Sequence, residues 1–125
     1  MANLCRVTYA PFSALFPRCR AGVHHGGIGT LSKALQAGLP QLIVQRAFDQ
    51  FDNAARAVRL GFARTASYRQ RGDVPEALKA LLDDTAAAAT AKELGQKLLA
   101  PIDIVPWLKR IAAQRPTSGG VGPER

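Results

Sequence analysis

Between Val23 and Gln50 the chain reads VHHGGIGTLSKALQAGLPQLIVQRAFDQ, and no other stretch restricts its fold as tightly. The short apolar run from Arg20 to His24 predicts a buried parallel strand that delivers His24 and His25 at its carboxyl end. A glycine cluster then opens a helix over Thr30 to Ala37, in which Leu31, Ala34 and Leu35 share one face and Gly38 stands ready to end it. Gln41 to Gln45 (QLIVQ) reads as the next strand, followed by a loop carrying Asp49 and Gln50. A glycine turn that opens a helix aims several backbone N–H groups at one point, at the positive end of the helix dipole, and so builds an anion site. Gly26, Gly27 and Gly29 permit the tight turn and the close approach of a ligand, because none carries a Cβ. Thr30 adds a hydroxyl that can cap the helix or bind a phosphate oxygen. A nucleotide-diphosphate site is the reading that follows.

The flanks continue the alternation of strand and helix. Leu4 to Tyr9 (LCRVTY) alternates apolar and polar residues and reads as a half-buried strand. Ser13 to Phe16 is a helical turn stopped by Pro17. Phe51 to Leu60 predicts a helix with Ala54, Ala55 and Val58 inward, ended by Gly61, and Phe62 to Thr65 a short strand. Asp73-Val74-Pro75-Glu76 reads as a capping box that starts a helix through Leu82. Thr85 to Leu99 predicts an alanine-rich helix with Ala87, Ala91, Leu94 and Leu98 on one stripe, and Asp103 to Ala113 a last helix bearing Trp107, Leu108 and Ile111. Residues 115–125 (RPTSGGVGPER) hold no core-forming side chains and are expected to be disordered, which leaves one domain over residues 1–114. The fold class expected is α/β, a partial Rossmann-like parallel sheet of about three strands flanked by helices. In such sheets ligands sit beyond the carboxyl ends of the strands, where the histidines, the glycine turn and the Asp49-Gln50 loop all fall.

A net charge of +8 raises nucleic acid as a partner. The longest basic run, however, is Lys109-Arg110, and no aromatic residues interleave with it to make a stacking platform. No specific nucleic-acid partner is expected, and a modest basic bias suits a protein that attracts phosphates. No apolar run reaches membrane-spanning length, so no membrane span is expected. Cys5 and Cys19 are too few and too far apart for a disulfide framework or a zinc site, and read as free thiols in a reducing cytoplasm. No metal site is expected.

Residues 9–61 resemble the donor-binding motif of family 1 glycosyltransferases, the nucleotide-sugar-dependent enzymes with the GT-B fold, and most closely their bacterial members. HHGGIGT, AGLPQ, and DQFDNAAR followed by LG carry the resemblance at the family's spacing. GGIGTLS is not the dinucleotide fingerprint, because Ser32 takes the place of its third glycine. The resemblance implies the latter part of a GT-B C-terminal domain. It also implies inverting transfer of a sugar from a nucleotide-diphosphate sugar to a small-molecule or lipid hydroxyl. By the same resemblance His25 hydrogen-bonds the diphosphate, aided by backbone N–H groups from Gly27 through Gly29 to Thr30, and Thr30 contacts the same phosphates. Asp49 and Gln50 correspond to the pair that grips the sugar hydroxyls, and Asn53 to an asparagine beside that pair. Tyr9-Ala10-Pro11-Phe12 stands where plant relatives bracket the base with Trp-Ala-Pro-Gln, which makes Tyr9 and Phe12 the candidate base contacts. Lys33 stands in place of a ribose-binding glutamate.

The nucleotide sugar enters as a substrate, and no cofactor is implied. The family's catalytic base lies in the acceptor domain. No residue of this chain is therefore expected to be catalytic, and activity is expected to need an acceptor-domain partner. An open sheet edge also suggests a homo-oligomer. A non-catalytic nucleotide-binding remnant is the other reading. Taken alone, His25 has the alternative reading of a hydrogen-bonded strand-end histidine, and Asp49, without Gln50 and the family's spacing, reads as a cap of the helix that follows. His24 points to the opposite face of the strand and reads as structural.

Overall fold

Three short strands, β1 (Gly22–His24), β2 (Gln41–Ile43) and β3 (Ala63–Thr65), pair side by side in chain order as a parallel sheet. The structure is a computed structural model and describes residues 3–70, 72–99 and 103–114. His24 stands opposite Ile43, and Ile43 opposite Thr65, so the carboxyl ends of all three strands finish level. The helices are α1 (Phe12–Leu15), α2 (Ile28–Gln36), α3 (Asp49–Leu60), α4 (Asp73–Leu82), α5 (Thr85–Leu99) and α6 (Val105–Ala113). The expected α/β class, with a partial parallel sheet flanked by helices, is what forms. Among the described residues no helix is long and apolar enough to cross a membrane, and Cys5 and Cys19 are free thiols.

β2 lies between the other two strands and is buried along its whole length. Successive side chains leave a strand on opposite faces, and β2 uses this to anchor two cores. Ile43 packs with Leu31 and Leu35 of α2, Ala54 and Ala57 of α3, Phe62, and Ala91 of α5. Leu42 packs on the other side with Ala66, Leu81 of α4 and Ala87 of α5. α2 closes at Gly38, whose φ of +76° lets the chain turn back into β2.

Several local expectations are corrected. Leu4 to Tyr9 forms no strand, and Leu4 and Tyr9 are 93% and 80% exposed. Alternation supplies a strand's side-chain pattern but not its ladder partner, and the free edge of β1 is not taken by this segment. Pro17 does not stop the first helical turn but sits inside a 3-10 turn, Phe16–Arg18, near whose start a missing N–H costs nothing. α3 turns Ala54 and Ala57 inward, whereas Ala55 and Val58 are exposed. The capping box at Asp73 does not form; the helix takes Asp73 as its first residue, and Gly72 ahead of it offers no side chain. In α5 the inward stripe is Ala87, Ala91 and Gly95, with Leu98 exposed. α6 buries none of its residues, and Trp107 is 60% exposed. The expected disordered tail, 115–125, lies outside the described residues.

Candidate functional site

At the end of β1 the backbone turns through Gly26, whose φ is +97°. A Cβ there would stand 3.0 Å from Ile43 Cγ2 and 3.3 Å from the Gln50 carbonyl oxygen. Gly26 is thus required both by conformation and by space. Gly27 and Gly29 differ, since a Cβ on either would meet open space. They leave the approach clear rather than permit the turn. Gly27 is the N-cap of α2, and the first helical bond runs from the Leu31 N–H to the Gly27 carbonyl, 3.0 Å. The N–H groups of Ile28, Gly29 and Thr30 therefore have no acceptor within the helix, and the first turn carries no acidic side chain. Thr30 lies in that turn but is not its cap, because the helix begins two residues earlier than the sequence suggested. His25 is exposed beside it.

His24 turns inward. Its Nδ1 accepts the Gly26 N–H at 3.0 Å, so the ring proton sits on Nε2, which donates to Gln41 Oε1 at 2.5 Å. Gln41 Nε2 in turn donates to the Leu31 carbonyl at 3.2 Å. Burial holds the His24 ring below the ordinary histidine pKa; the bond to Gln41 opposes this, and the neighbouring His25 adds to it. The folded state therefore binds fewer protons than the unfolded chain below about pH 6.5, and this contribution to stability, complete above that pH, is lost as the pH falls. Urea midpoints are expected to drop between about pH 7.5 and about pH 5.5. The same titration of His24→Gln should be flatter; an equal slope would assign the effect elsewhere.

The start of α3 lies against the glycine turn. Asn53 Nδ2 donates to the Gly26 carbonyl at 3.0 Å and approaches Asp49 Oδ2 at 3.5 Å. Gln50 Oε1 accepts the N–H groups of Arg46 and Ala47, at 2.8 and 3.2 Å, which pins the loop. Asp49 is exposed in the first turn of α3, where a negative charge suits the helix dipole. Phe48, just before it, is 91% exposed and has φ +56° and ψ −133°, a region that a Cβ disfavours. Phe48→Gly is expected to raise stability by about 1 kcal/mol by releasing this strain, net of glycine's greater freedom when unfolded. Phe48→Ala, which keeps the Cβ, should show no such gain in urea denaturation; equal midpoints for the two variants would mean no strain is stored there.

Tyr9 and Phe12 line a common groove with Pro11 and with Lys33 of α2. One face of Phe12 is taken by Phe16, the rings stacking at 4.5 Å between centroids, whereas Tyr9 is open. Beyond β2 and β3 a second groove holds Gln45, Arg46, Thr65, Ser67 and Tyr68, with the Arg46 guanidinium 4.4 Å over the Tyr68 ring. The structure thus joins the glycine turn to Asp49, Gln50 and Asn53 at the level end of the sheet, and gathers Tyr9, Phe12 and Lys33 in a groove of their own. Sequence reasoning missed Gln41 and the inward bonding of His24. The signal for Gln41 was a lone polar residue opening an otherwise apolar strand. Among the described residues no group of three or more His, Cys, Asp or Glu side chains is arranged to hold a metal ion.

A family model described as erythromycin biosynthesis protein CIII-like, C-terminal domain, matches residues 2–111. Aklavinone 7-beta-L-rhodosaminyltransferase of Streptomyces galilaeus is 37% identical over 121 residues, which are 90% of this chain and 26% of that protein. The 3-alpha-mycarosylerythronolide B desosaminyl transferase of Saccharopolyspora erythraea is 34% identical over 121 residues, 90% of this chain and 28% of that protein. Among solved structures, spinosyn forosaminyltransferase SpnP superposes with a TM-score of 0.76 at 28% identity, covering 91% of this chain and 33% of its own. The glycosyltransferase VinC in complex with dTDP gives 0.73 at 28% identity, covering 86% and 28%. The chain therefore spans between 26% and 28% of the length of these two curated relatives.

Proposed function

Since this chain belongs to the erythromycin biosynthesis protein CIII-like C-terminal domain family, in which it stands beside C-terminal parts of glycosyltransferases, we propose that it forms the sugar-donor-binding portion of an inverting glycosyltransferase. The reaction would carry a sugar from a nucleotide-diphosphate sugar to a small-molecule or lipid hydroxyl. One observation carries the reading: three N–H groups without helical acceptors open α2 beside an exposed histidine, with no carboxylate in the first turn to compete.

In this proposal the diphosphate lies on the N–H groups of Ile28, Gly29 and Thr30, with the His25 imidazole and the Thr30 hydroxyl completing its contacts. Gly27 and Gly29 keep that approach open. Asp49 accepts from sugar hydroxyls, and Gln50 presents its Nε2 to them, since its oxygen already holds the loop. Asn53 ties the two halves of the site together through the Gly26 carbonyl. Tyr9 offers its open ring to the base, with Phe12 and Lys33 alongside. As the bond from the anomeric carbon to the diphosphate breaks, negative charge grows on the leaving oxygens, and fixed N–H groups stabilise it without reorganising. The base that deprotonates the acceptor hydroxyl comes from an acceptor-domain partner. The donor is a substrate, and no metal or cofactor enters the scheme. The free thiols suit a reducing cytoplasm.

VinC holds dTDP, which makes dTDP the first probe and UDP the second. Calorimetric titration of the folded chain is expected to give a Kd near a millimolar, about −4 kcal/mol, for half of an interdomain site. Absence of binding by a folded chain at several millimolar would overturn the proposal.

A further inference from the structure

We propose that His24, and not only the exposed His25, serves the diphosphate site, as a positioning residue that fixes the Gly26 peptide through its Nδ1 and the first turn of α2 through Gln41. The inference rests on the sugar-donor reading above. Three bonds run in series from the turn into the sheet: Gly26 N–H to His24 Nδ1, His24 Nε2–H to Gln41 Oε1, and Gln41 Nε2–H to the Leu31 carbonyl. Leu31 belongs to the first turns of α2, so the relay joins both sides of the glycine turn to the central strand. Asn53 completes the clamp by donating to the Gly26 carbonyl, so that Gly26 is held on both sides of its Cα, at its N–H from β1 and at its carbonyl from α3.

Two features argue that the relay does more than fill space. Gln41 is fully buried between apolar cores, where a leucine would satisfy packing, yet both ends of its amide are bonded. The Gly26 N–H is also consumed by His24, so it is not one of the groups left for an anion. What the bond does is set the direction in which the chain enters α2, and hence where the N–H groups of Ile28, Gly29 and Thr30 point. His25 follows directly on β1 and is exposed, so anchoring the His24 ring inward also fixes the backbone from which the His25 side chain projects.

The two nitrogens of the ring can be tested separately. Asparagine places its oxygen near the position of Nδ1 and keeps an acceptor for Gly26, but is too short for Gln41. Glutamine reaches Gln41 and loses the Gly26 acceptor. Phenylalanine keeps the ring and loses both. NMR titration of dTDP into the full chain is expected to show affinity about tenfold weaker in His24→Gln and His24→Phe, and within about threefold of the parent in His24→Asn. Thermal midpoints should not follow that order. Equal affinity in all variants, or affinity that tracks melting temperature, overturns the positioning role while leaving the sugar-donor site standing. A parent chain that is folded but does not bind dTDP overturns the site and the role together. If the variants do not fold, nitrogen-15 spectra of the parent decide: protonation at Nε2 with a slowly exchanging Gly26 amide is expected, and protonation at Nδ1 overturns the proposal.

Discussion

Replacing Gly95 by alanine should destabilise the chain by about 3 kcal/mol, the upper part of the range for forcing a methyl group into a packed interior. The added Cβ would lie 2.2 Å from the Leu35 carbonyl oxygen and 3.3 Å from the Gly38 nitrogen. Both atoms are backbone, at the close of α2, so no side chain can rotate to make room. Gly38 faces the same contact from the other side, since a Cβ on it would be 3.4 Å from Lys92 Cα in α5. The sign of the effect is what discriminates. Glycine inside a helix is ordinarily worse than alanine by about 1 kcal/mol, so an unconstrained Gly95 would gain stability on substitution. A urea midpoint that rises in Gly95→Ala would show that α2 and α5 do not meet this closely. Gly72, where an added Cβ meets nothing and φ is −63°, provides a control expected to tolerate alanine.

The second large effect concerns binding. His25→Ala is expected to weaken dTDP affinity by about 1.5–3 kcal/mol, the range for hydrogen bonds to charged groups. Because the His25 side chain is exposed and makes no hydrogen bond among the described residues, thermal stability should stay close to the parent's. The pair of histidines then separates two properties, with binding lost alone at His25 and the helix entry disturbed at His24. Unchanged affinity in a folded His25→Ala chain would remove that residue from the site.

The features that local pattern can encode were legible in the sequence. The family resemblance read from residues 9–61 is borne out by a domain match over residues 2–111. α5 begins and ends where its composition placed it, and the buried face of α2, Leu31, Ala34 and Leu35, was read from periodicity alone. What failed depended on partners distant in the chain. The alternation in Leu4 to Tyr9 fits a strand, but pairing needs a neighbour that no local pattern can supply. On α5 the expected stripe of Ala87, Ala91, Leu94 and Leu98 holds at the two alanines and at Leu94, which packs partly buried against the core, and fails at Leu98, which is exposed. The helix instead turns its smallest residue inward, because the approach of α2 leaves no room for a Cβ. At the site, the glycine turn and the order of its candidate groups were readable. The Asn53 bond to Gly26 and the Gln41 relay were not, because each depends on tertiary proximity between polar groups that are ordinary in sequence.

The order of the strands has a consequence for exchange between relatives. Because β1, β2 and β3 sit side by side as they occur in the chain, the loops beyond their ends are also consecutive, and every proposed sugar-donor contact falls between Tyr9 and Asn53. A site laid out in this way is portable: recombination with crossovers outside that interval transfers the proposed contacts as a block, together with Gln41 and most of the turn's own scaffold. The packing of α5 against α2 is the junction a graft has to preserve, and Gly95 marks it.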